Sequence, residues 1–193
     1  MRKTKDTGSL FKQTDEKLIN KALKGNQSAW QQLVKRHESA VYQYAMRMTS
    51  NADDAMDVMQ ETFMSVCRSL ADFRGDSEFK TWLLRIAHFR IVEFYRRRKW
   101  FADDSEIQQM NAEPEQSCPE LAFDNKQTQV QIMALMKQLP FEQKLIVELK
   151  VFQQQTFDGI GKQLGISTNT VKSRFYTALD KLKGFLEINH DAA

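Results

Sequence analysis

Apolar residues return every three or four positions along most of this chain, which is the spacing of helices that bury one face. The pattern predicts a short first helix, capped by Asp15 and ending near Gly25. Three longer helices are expected at about 30–48, 55–70 and 78–100, with a polar loop, FRGDSEF, before the last of them. No stretch alternates between apolar and polar residues as a half-buried strand would. The chain is therefore predicted to be all-α.

The periodicity stops after residue 100 and resumes near residue 130. The stretch between is polar and acidic and holds Pro114 and Pro119, which is typical of a linker. Four further helices are expected at 130–138, 140–152, 156–164 and about 167–186. We therefore predict two small helical domains joined by a flexible acidic linker. The expected bounds are a tail at 1–14, a first domain at 15–100, a linker at 101–127, a second domain at 128–188 and a tail at 189–193.

The 193 residues carry a net charge of only +3, but this charge is distributed unevenly. Seven bases and one acid lie between Lys80 and Lys99, whereas seven acids and one base lie between Phe101 and Thr128. A basic block followed at once by an acidic one indicates a nucleic-acid-binding face beside a tether.

Several classes of protein are not indicated by the sequence. No apolar run approaches the ~18 residues of a membrane span, and the basic start MRKTK leads into polar sequence, so we expect no signal peptide. Cys67, Cys118 and the three histidines lack the spacing of a metal site. No phosphate-binding or nucleophile motif occurs. We expect a cytoplasmic protein with no metal, no cofactor, no small-molecule substrate and no enzymatic activity.

The sequence TFDGIGKQLGISTNTVKSR, at 156–174, predicts two helices joined by a tight turn. Thr156 and Ser167 are suitable N-caps, and Gly165 can take the left-handed conformation that ends a helix. Gly161 is small where the two helices approach each other. This is the arrangement of a helix-turn-helix, whose second helix enters the major groove; a helical hairpin with capping hydroxyls is the alternative. The residues expected to meet bases and phosphates are Thr168, Asn169, Thr170, Lys172, Ser173, Arg174 and Tyr176.

In two helices of the first half, the side opposite the apolar residues has a composition that core packing alone does not explain. On a helical wheel, the helix around Asp57 buries one side and presents acids with Gln60 on the other; a merely solvated face is the alternative. The following helix has one side on which Trp82, His88 and Phe89 are interleaved with arginines. Aromatic and basic side chains together suit unstacked bases along a phosphate backbone, the alternative being a core helix with spare aromatic residues.

Three segments together resemble the sigma-70-type factors of RNA polymerase. ADDAMDVMQETFMSV resembles their core-polymerase-binding helix, and FRGDSEFKTWLLRIAHFRIVEFYRRR looks like their promoter-melting segment. LPFEQKLIVELKVFQQQTFDGIGKQLGISTNTVKSRFYTAL is similar to their upstream-element reader. The resemblance covers about 15–100 and 128–188, in the family's order and without a further domain, as in the compact extracytoplasmic-function (ECF) group. It implies that the two predicted domains are sigma regions 2 and 4.

The resemblance also implies a role for each group of residues. The polymerase clamp would bind Asp57, Gln60 and Glu61, with Phe63 buried beneath them. The melted −10 strand would contact Arg74, Asp76, Ser77, Lys80, Trp82, Arg85, Phe89, Arg96 and Arg97. The −35 element would be read by the segment 168–174 together with Tyr176. The implied partners are core RNA polymerase, through its clamp and flap regions, promoter DNA and an anti-sigma factor.

This chain departs from the family pattern at several positions. Phe89 stands where the pattern has Asn, and the usual turn glycine is replaced within 153–155. The second interpretation of the sequence is an autonomous regulator that binds duplex operators as a dimer, with the first domain for dimerisation or sensing. A dimeric regulator should bind a palindromic site alone, whereas a sigma factor should need polymerase.

The linker is predicted to do more than tether the two domains. As a flexible coil, the 28 residues at 101–128 would span roughly 30 Å. Two promoter elements one and a half duplex turns apart are separated by on the order of 50 Å, so polymerase would have to hold the linker stretched. Its acidic charge then suggests a path through a basic channel, the alternative being a solvated spacer.

Overall fold

The computed structural model describes residues 13–102 and 126–190, with side chains at 13–98 and 130–185. Within those ranges every regular element is helical, which confirms the all-α prediction. The first half holds α1 (Asp15–Leu23), α2 (Gln27–Thr49), α3 (Ala52–Ser69), a 3₁₀ turn (Leu70–Asp72) and α4 (Phe79–Ala102). The second half holds α5 (Lys126–Lys137), α6 (Phe141–Val147), a π-helical segment (Glu148–Phe152), α7 (Phe157–Leu164) and α8 (Thr168–His190). None of these helices is both long enough and apolar enough to cross a membrane.

The start of α1 differs from the prediction by one residue. Thr14 is the N-cap, and its hydroxyl accepts a hydrogen bond from the N–H of Lys17. Asp15, predicted as the cap, lies in the first turn, and its carboxylate meets the guanidinium of Arg36 at 2.5 Å and the ring of His37 at 2.9 Å. The prediction of Asp15 as the cap is wrong because this carboxylate has its partners on α2.

The core of the first half forms around α2, which packs against α1, α3 and α4. Burial of large apolar side chains is the main source of its stability. The buried residues on these helices include Leu18, Leu33, Val41, Tyr44, Met48, Val58, Val66, Leu83 and Ile91. This packing buries one side of α3 and one side of α4, and the opposite side of each helix lies on the surface.

The helix-turn-helix forms as its local signals predict. Thr156 caps α7 by accepting from the N–H of Gly159 at 3.0 Å, and Ser167 caps α8 by accepting from the N–H of Thr170 at 3.0 Å. Gly165 ends α7 in the left-handed conformation with φ 68°. A β-carbon on Gly161 would lie 2.8 Å from the carbonyl oxygen of Ile166, so only glycine lets the turn close this tightly.

The two halves of the chain touch each other, which the prediction of two domains on a flexible linker does not include. α2 contacts both α5 and α6. Leu145, Ile146 and Leu149 belong to the same continuous buried cluster as the core of the first half. Helix also occupies both ends of the predicted 101–127 linker, because α4 continues to Ala102 and α5 begins at Lys126. Residues 103–125, on which the linker hypothesis depends, lie outside the described part of the chain.

The turn between the π-helical segment and α7 contains a strained residue. Gln154 has φ 54°, a left-handed conformation that costs a residue with a β-carbon roughly 1 kcal/mol. We expect Gln154→Gly to raise the free energy of unfolding by about 0.5–1 kcal/mol, or the melting temperature by about 1–4 °C. The control is Gln153→Gly, because Gln153 has φ −99° and should gain nothing. Chemical and thermal denaturation measure both variants, and a destabilised Gln154→Gly protein would contradict the argument.

Candidate nucleic-acid and protein interfaces

The surface side of α3 is acidic. Asp57 and Gln60 are exposed and Glu61 is half-buried. On the opposite side, Val58 is buried and Phe63 is only 9% exposed, so Phe63 is buried as predicted. We call the residues Asp57, Gln60 and Glu61 the acidic face. Since a rigid, well-packed helix holds these side chains, the face can dock on a basic partner without reordering the fold.

The basic end of α4 lies against the acidic side of α3. Arg97 reaches Glu61 at 3.4 Å and Glu93 at 3.1 Å, and Arg98 reaches Asp54 at 2.8 Å. The hydrogen bond from Arg97 lowers the pKa of the Glu93 carboxyl below its usual value. Glu61, a predicted polymerase contact, and Arg97, a predicted DNA contact, are therefore partners of each other in the free chain. Exposed ion pairs of this kind contribute little to stability, so another partner can replace either of them.

The aromatic residues of α4 divide into exposed and packed ones. Phe89 is 66% exposed. Trp82 is half-buried, with its ring 5.3 Å from the ring of Phe73 and 5.8 Å from the ring of Phe79. The placement of His88 on the outer side is wrong: it is buried, 3.4 Å from the hydroxyl of Tyr44, and burial lowers its pKa. Phe89 is thus the aromatic side chain of this set that α4 holds out to solvent.

The other residues predicted for the −10 strand lie along α4 or in the loop before it. Gly75 turns the loop with φ 80°. The exposed members are Arg74, Asp76, Lys80, Arg85 and Arg96, and Ser77 is half-buried. Exposed basic side chains together with the exposed ring of Phe89 suit a single-stranded nucleic acid.

A groove between α3 and α4, which the sequence does not reveal, lies directly beside Phe89. It has a volume of about 290 Å³ and is lined by Ser65, Arg68, Ser69, Ile86, Phe89 and Arg90. Arg90 donates through Nη1 to Glu93 at 2.6 Å. Its buried Nε has no hydrogen-bond partner among the described residues. The groove could be found only from structure, because its lining comes from positions about 20 residues apart on two helices.

The recognition residues of α8 are not equally available. Asn169, Lys172, Ser173 and Tyr176 are exposed, whereas Thr168 and Thr170 are half-buried at the turn. The hydroxyl of Thr170 lies 2.8 Å from that of Ser167. Arg174 is half-buried and binds Glu142, at the start of α6, at 2.7 Å. The side chains of Asn169 and Lys172 are therefore accessible to DNA, whereas the guanidinium of Arg174 is paired with Glu142 of the same domain.

Comparisons with known proteins match both halves of the chain. Residues 33–101 match sigma-70 region 2, and residues 129–182 match sigma-70 region 4. The chain is 30% identical over 166 residues to an ECF RNA polymerase sigma factor, SigE, of Mycolicibacterium smegmatis, and this alignment covers 84% of the chain but only 64% of that relative's length. It is 26% identical to the RNA polymerase sigma-H factor of Pseudomonas aeruginosa, with 92% of the chain and 96% of the relative covered.

A solved structure has the same fold. The sigma factor RpoE of Bartonella quintana, in a co-crystal structure with the anti-sigma factor NepR, superposes with a TM-score of 0.63 at 23% identity, covering 82% of this chain and 96% of that one. The two family matches together span more than half of the chain and follow the family's order. The chain therefore belongs to the sigma-70 family of RNA polymerase sigma factors, in its extracytoplasmic-function group.

Proposed function

We propose that three separate surfaces carry out three steps of initiation. The acidic face of α3 docks on the clamp of core RNA polymerase. The loop at 73–78 and the outer side of α4 hold the melted −10 strand, and the exposed N-terminal part of α8 reads the −35 element. The observation that supports this division is that α3, α4 and α8 each bury one side in a core and leave another side on the surface. The chain itself then performs no catalysis and acts in the cytoplasm, where polymerase and promoter DNA meet.

The ion pairs between α3 and α4 fit this proposal as exchangeable contacts. Basic side chains of polymerase would form ion pairs with Glu61 in place of Arg97, and DNA phosphates would form ion pairs with Arg97 in place of Glu61. Because both members of the pair are about half exposed, at 53% for Arg97 and 45% for Glu61, little free energy is lost when it breaks. Docking of Glu61 on polymerase would thus free Arg97 for DNA, and binding of DNA by Arg97 would free Glu61 for polymerase.

The groove beside Phe89 has the features of a site for an unstacked base. Phe89 offers a ring for stacking, and Arg68 and Arg90 supply donors at its edge. Base stacking on an aromatic ring contributes about 1–3 kcal/mol per base. We assign the groove to the −10 strand, with Phe89 as its principal contact and Trp82 as a residue that supports the loop.

Recognition of the −35 element should depend more on Lys172 than on Arg174. Lys172 is exposed, whereas Arg174 is engaged by Glu142. We expect Lys172→Ala to weaken promoter binding by the holoenzyme by about 1–3 kcal/mol if it reads a base edge, and Arg174→Ala to have a smaller effect. Equilibrium binding to promoters with intact and altered −35 elements measures both variants.

The matched control for that measurement is Lys181→Ala, an exposed lysine about two and a half turns further along α8. If Lys172 contacts only a phosphate, the variant should lose affinity equally for all sequences and show a weaker dependence on salt. Unchanged binding by the Lys172→Ala holoenzyme would mean that the recognition surface has been misplaced on α8.

An anti-sigma factor is a further proposed partner. The Bartonella quintana structure contains such an inhibitor bound to its sigma factor, and the fold of this chain is similar. The second candidate function, a dimeric operator-binding regulator, uses the same helix-turn-helix but gives the acidic face of α3 and the exposed ring of Phe89 no role.

A further inference from the structure

The loop before α4 is closed at its base by two aromatic rings. Phe73 directly precedes residues 74–78 and Phe79 directly follows them, and the centres of the two rings are 5.6 Å apart in an edge-to-face arrangement. Contacts of this kind are favourable beyond the area that they bury. Phe79 is buried, whereas Phe73 is half-buried. The shape of the loop therefore depends on where the core holds the ring of Phe79.

A buried histidine of α2 lies against the ring of Phe79. The centre of the His37 ring is 5.2 Å from that of Phe79, again edge to face, and His37 is only 7% exposed. Its Nε2 lies 2.9 Å from Oδ2 of Asp15, in the first turn of α1. Burial lowers the pKa of the His37 ring, so the ring is neutral at pH 7. Its Nε2–H therefore donates to the carboxylate, and this hydrogen bond fixes the tautomer and the orientation of the ring.

The base of the loop is connected to α1 in a second place. α1 also contacts the 3₁₀ turn, Leu70–Asp72, which leads into Phe73. The N–H of Phe73 donates to the carbonyl oxygen of Leu70 at 3.2 Å, and the side chain of Leu70 is buried. α1 lies before residues 33–101, which match sigma-70 region 2. A contribution of α1 to the loop is thus visible in the structure and does not follow from that match.

The residues under Phe79 suit positioning better than they suit stability. An apolar side chain of similar size would fill this buried place without removing a polar group from water. A histidine that is hydrogen-bonded to a carboxylate instead has one preferred orientation. The carboxylate is itself held, because its other oxygen lies 2.5 Å from Nη1 of Arg36.

We propose that Asp15 and His37 are positioning residues for the −10 strand. The hydrogen bond between them sets the place of the Phe79 ring and, through it, the shape of the loop at 74–78. This inference rests on the proposed function for its effect on promoter opening. Its effect on the loop is independent of that function.

Amide hydrogen exchange in the full chain measures the effect on the loop. Three amides report on the ends of the loop, namely those of Phe73, Thr81 and Trp82. The first donates to Leu70, as described above, and the other two donate to the carbonyl oxygen of Glu78 at 3.0 and 3.2 Å. The reference is the amide of Ala55, which donates to Asn51 at 3.0 Å at the other end of α3 from the loop.

Two variants remove the hydrogen bond in different ways. Asp15→Ala deletes the acceptor, whereas His37→Phe keeps an aromatic ring and deletes the donor. We expect each variant to speed exchange at the three reporter amides by roughly five- to tenfold, with the reference amide at the parent rate. Because both variants remove the same interaction, the double variant should show no further increase.

Arg36→Met is the matched control. Arg36 binds the other oxygen of the same carboxylate, so this variant breaks an ion pair of α1 and leaves the hydrogen bond between Asp15 and His37 in place. The three reporter amides should exchange at the parent rate. Equal acceleration in Arg36→Met would overturn the proposal, because the general attachment of α1 would then be what matters.

Promoter opening by the holoenzyme is the second readout, followed by permanganate reactivity on a promoter that the parent opens. We expect the Asp15→Ala and His37→Phe holoenzymes to form the open complex roughly three- to tenfold more slowly, with closed binding unchanged. Loss of an acid would by itself favour binding to DNA phosphates. A slower rate for Asp15→Ala therefore cannot arise from its change of charge.

Reporter amides that exchange at the parent rate in both single variants would overturn the proposal. A double variant whose acceleration is the product of the two single effects would also overturn it. Asp15→Ala keeps the test available if His37→Phe impairs folding, since the side chain of Asp15 is 29% exposed. Failure of the proposed function gives a different pattern, in which exchange in the loop rises as expected and promoter opening is not slowed.

Discussion

Asp57→Lys combined with Glu61→Lys is expected to abolish stable association with core RNA polymerase while leaving the fold intact. Both residues lie on the surface side of α3, opposite the buried Val58 and Phe63. Placing two cations against a basic docking surface should cost several kcal/mol of binding free energy, because like charges replace attractive pairs. Competition binding with the unmodified chain measures the loss.

The control for that experiment is Glu16→Lys with Asp72→Lys, which makes the same change of charge at exposed positions of the first half. The pair between Glu61 and Arg97 is lost in the test variant, but an exposed pair at 3.4 Å contributes little to stability. The melting temperature should therefore stay close to that of the parent. Undiminished polymerase binding by the folded double variant would show that the acidic face of α3 is not the docking surface.

Phe89→Ala is expected to slow the formation of the open promoter complex by roughly 5- to 150-fold. This range corresponds to the loss of about 1–3 kcal/mol when a base can no longer stack on the ring. The side chain is 66% exposed, so its removal should hardly affect the fold or the closed complex. Permanganate reactivity of promoter thymines, followed with time, measures opening.

Two further variants make this result specific. Val92→Ala truncates a 38% exposed aliphatic residue on the same helix and should leave opening unchanged. Trp82→Ala should lower the melting temperature, because the ring packs against Phe73 and Phe79. A Phe89→Ala holoenzyme that melts the promoter at the rate of the parent would refute the assignment of the ring to the melted strand.

The features that the sequence predicts correctly are local ones. The helix-turn-helix depends on Thr156, Gly165 and Ser167, and each acts within three or four residues of its own position. The acidic face of α3 follows from helical spacing, since the buried residues Ala55, Val58, Phe63 and Val66 share the other side, although Met56 and Met64 are exposed. Asp15 shows the limit of such reasoning, because Thr14 and Asp15 are both good caps and the choice depends on partners on α2.

The features that the sequence does not predict depend on distant residues. The prediction placed His88 on the same side of α4 as Arg85 and Arg96, but its side chain is buried, 3.4 Å from the hydroxyl of Tyr44, which lies 44 residues earlier. Arg47 donates two hydrogen bonds to Glu148, 101 residues later, and neither residue is unusual within its own helix. The contact between the halves of the chain can be derived only from the packing of α2 against α5 and α6.

The central claim is that this chain gives RNA polymerase its choice of promoter, and reconstituted transcription tests it most directly. Purified core polymerase is combined with the chain on fragments of the chromosome of its own organism, and transcript starts are mapped. The account predicts transcripts from a set of sites that share two elements about one and a half turns apart, present only when both proteins are added. Tight binding of the chain alone to a palindromic duplex, with no new transcript from the mixture, would contradict it and favour the dimeric regulator.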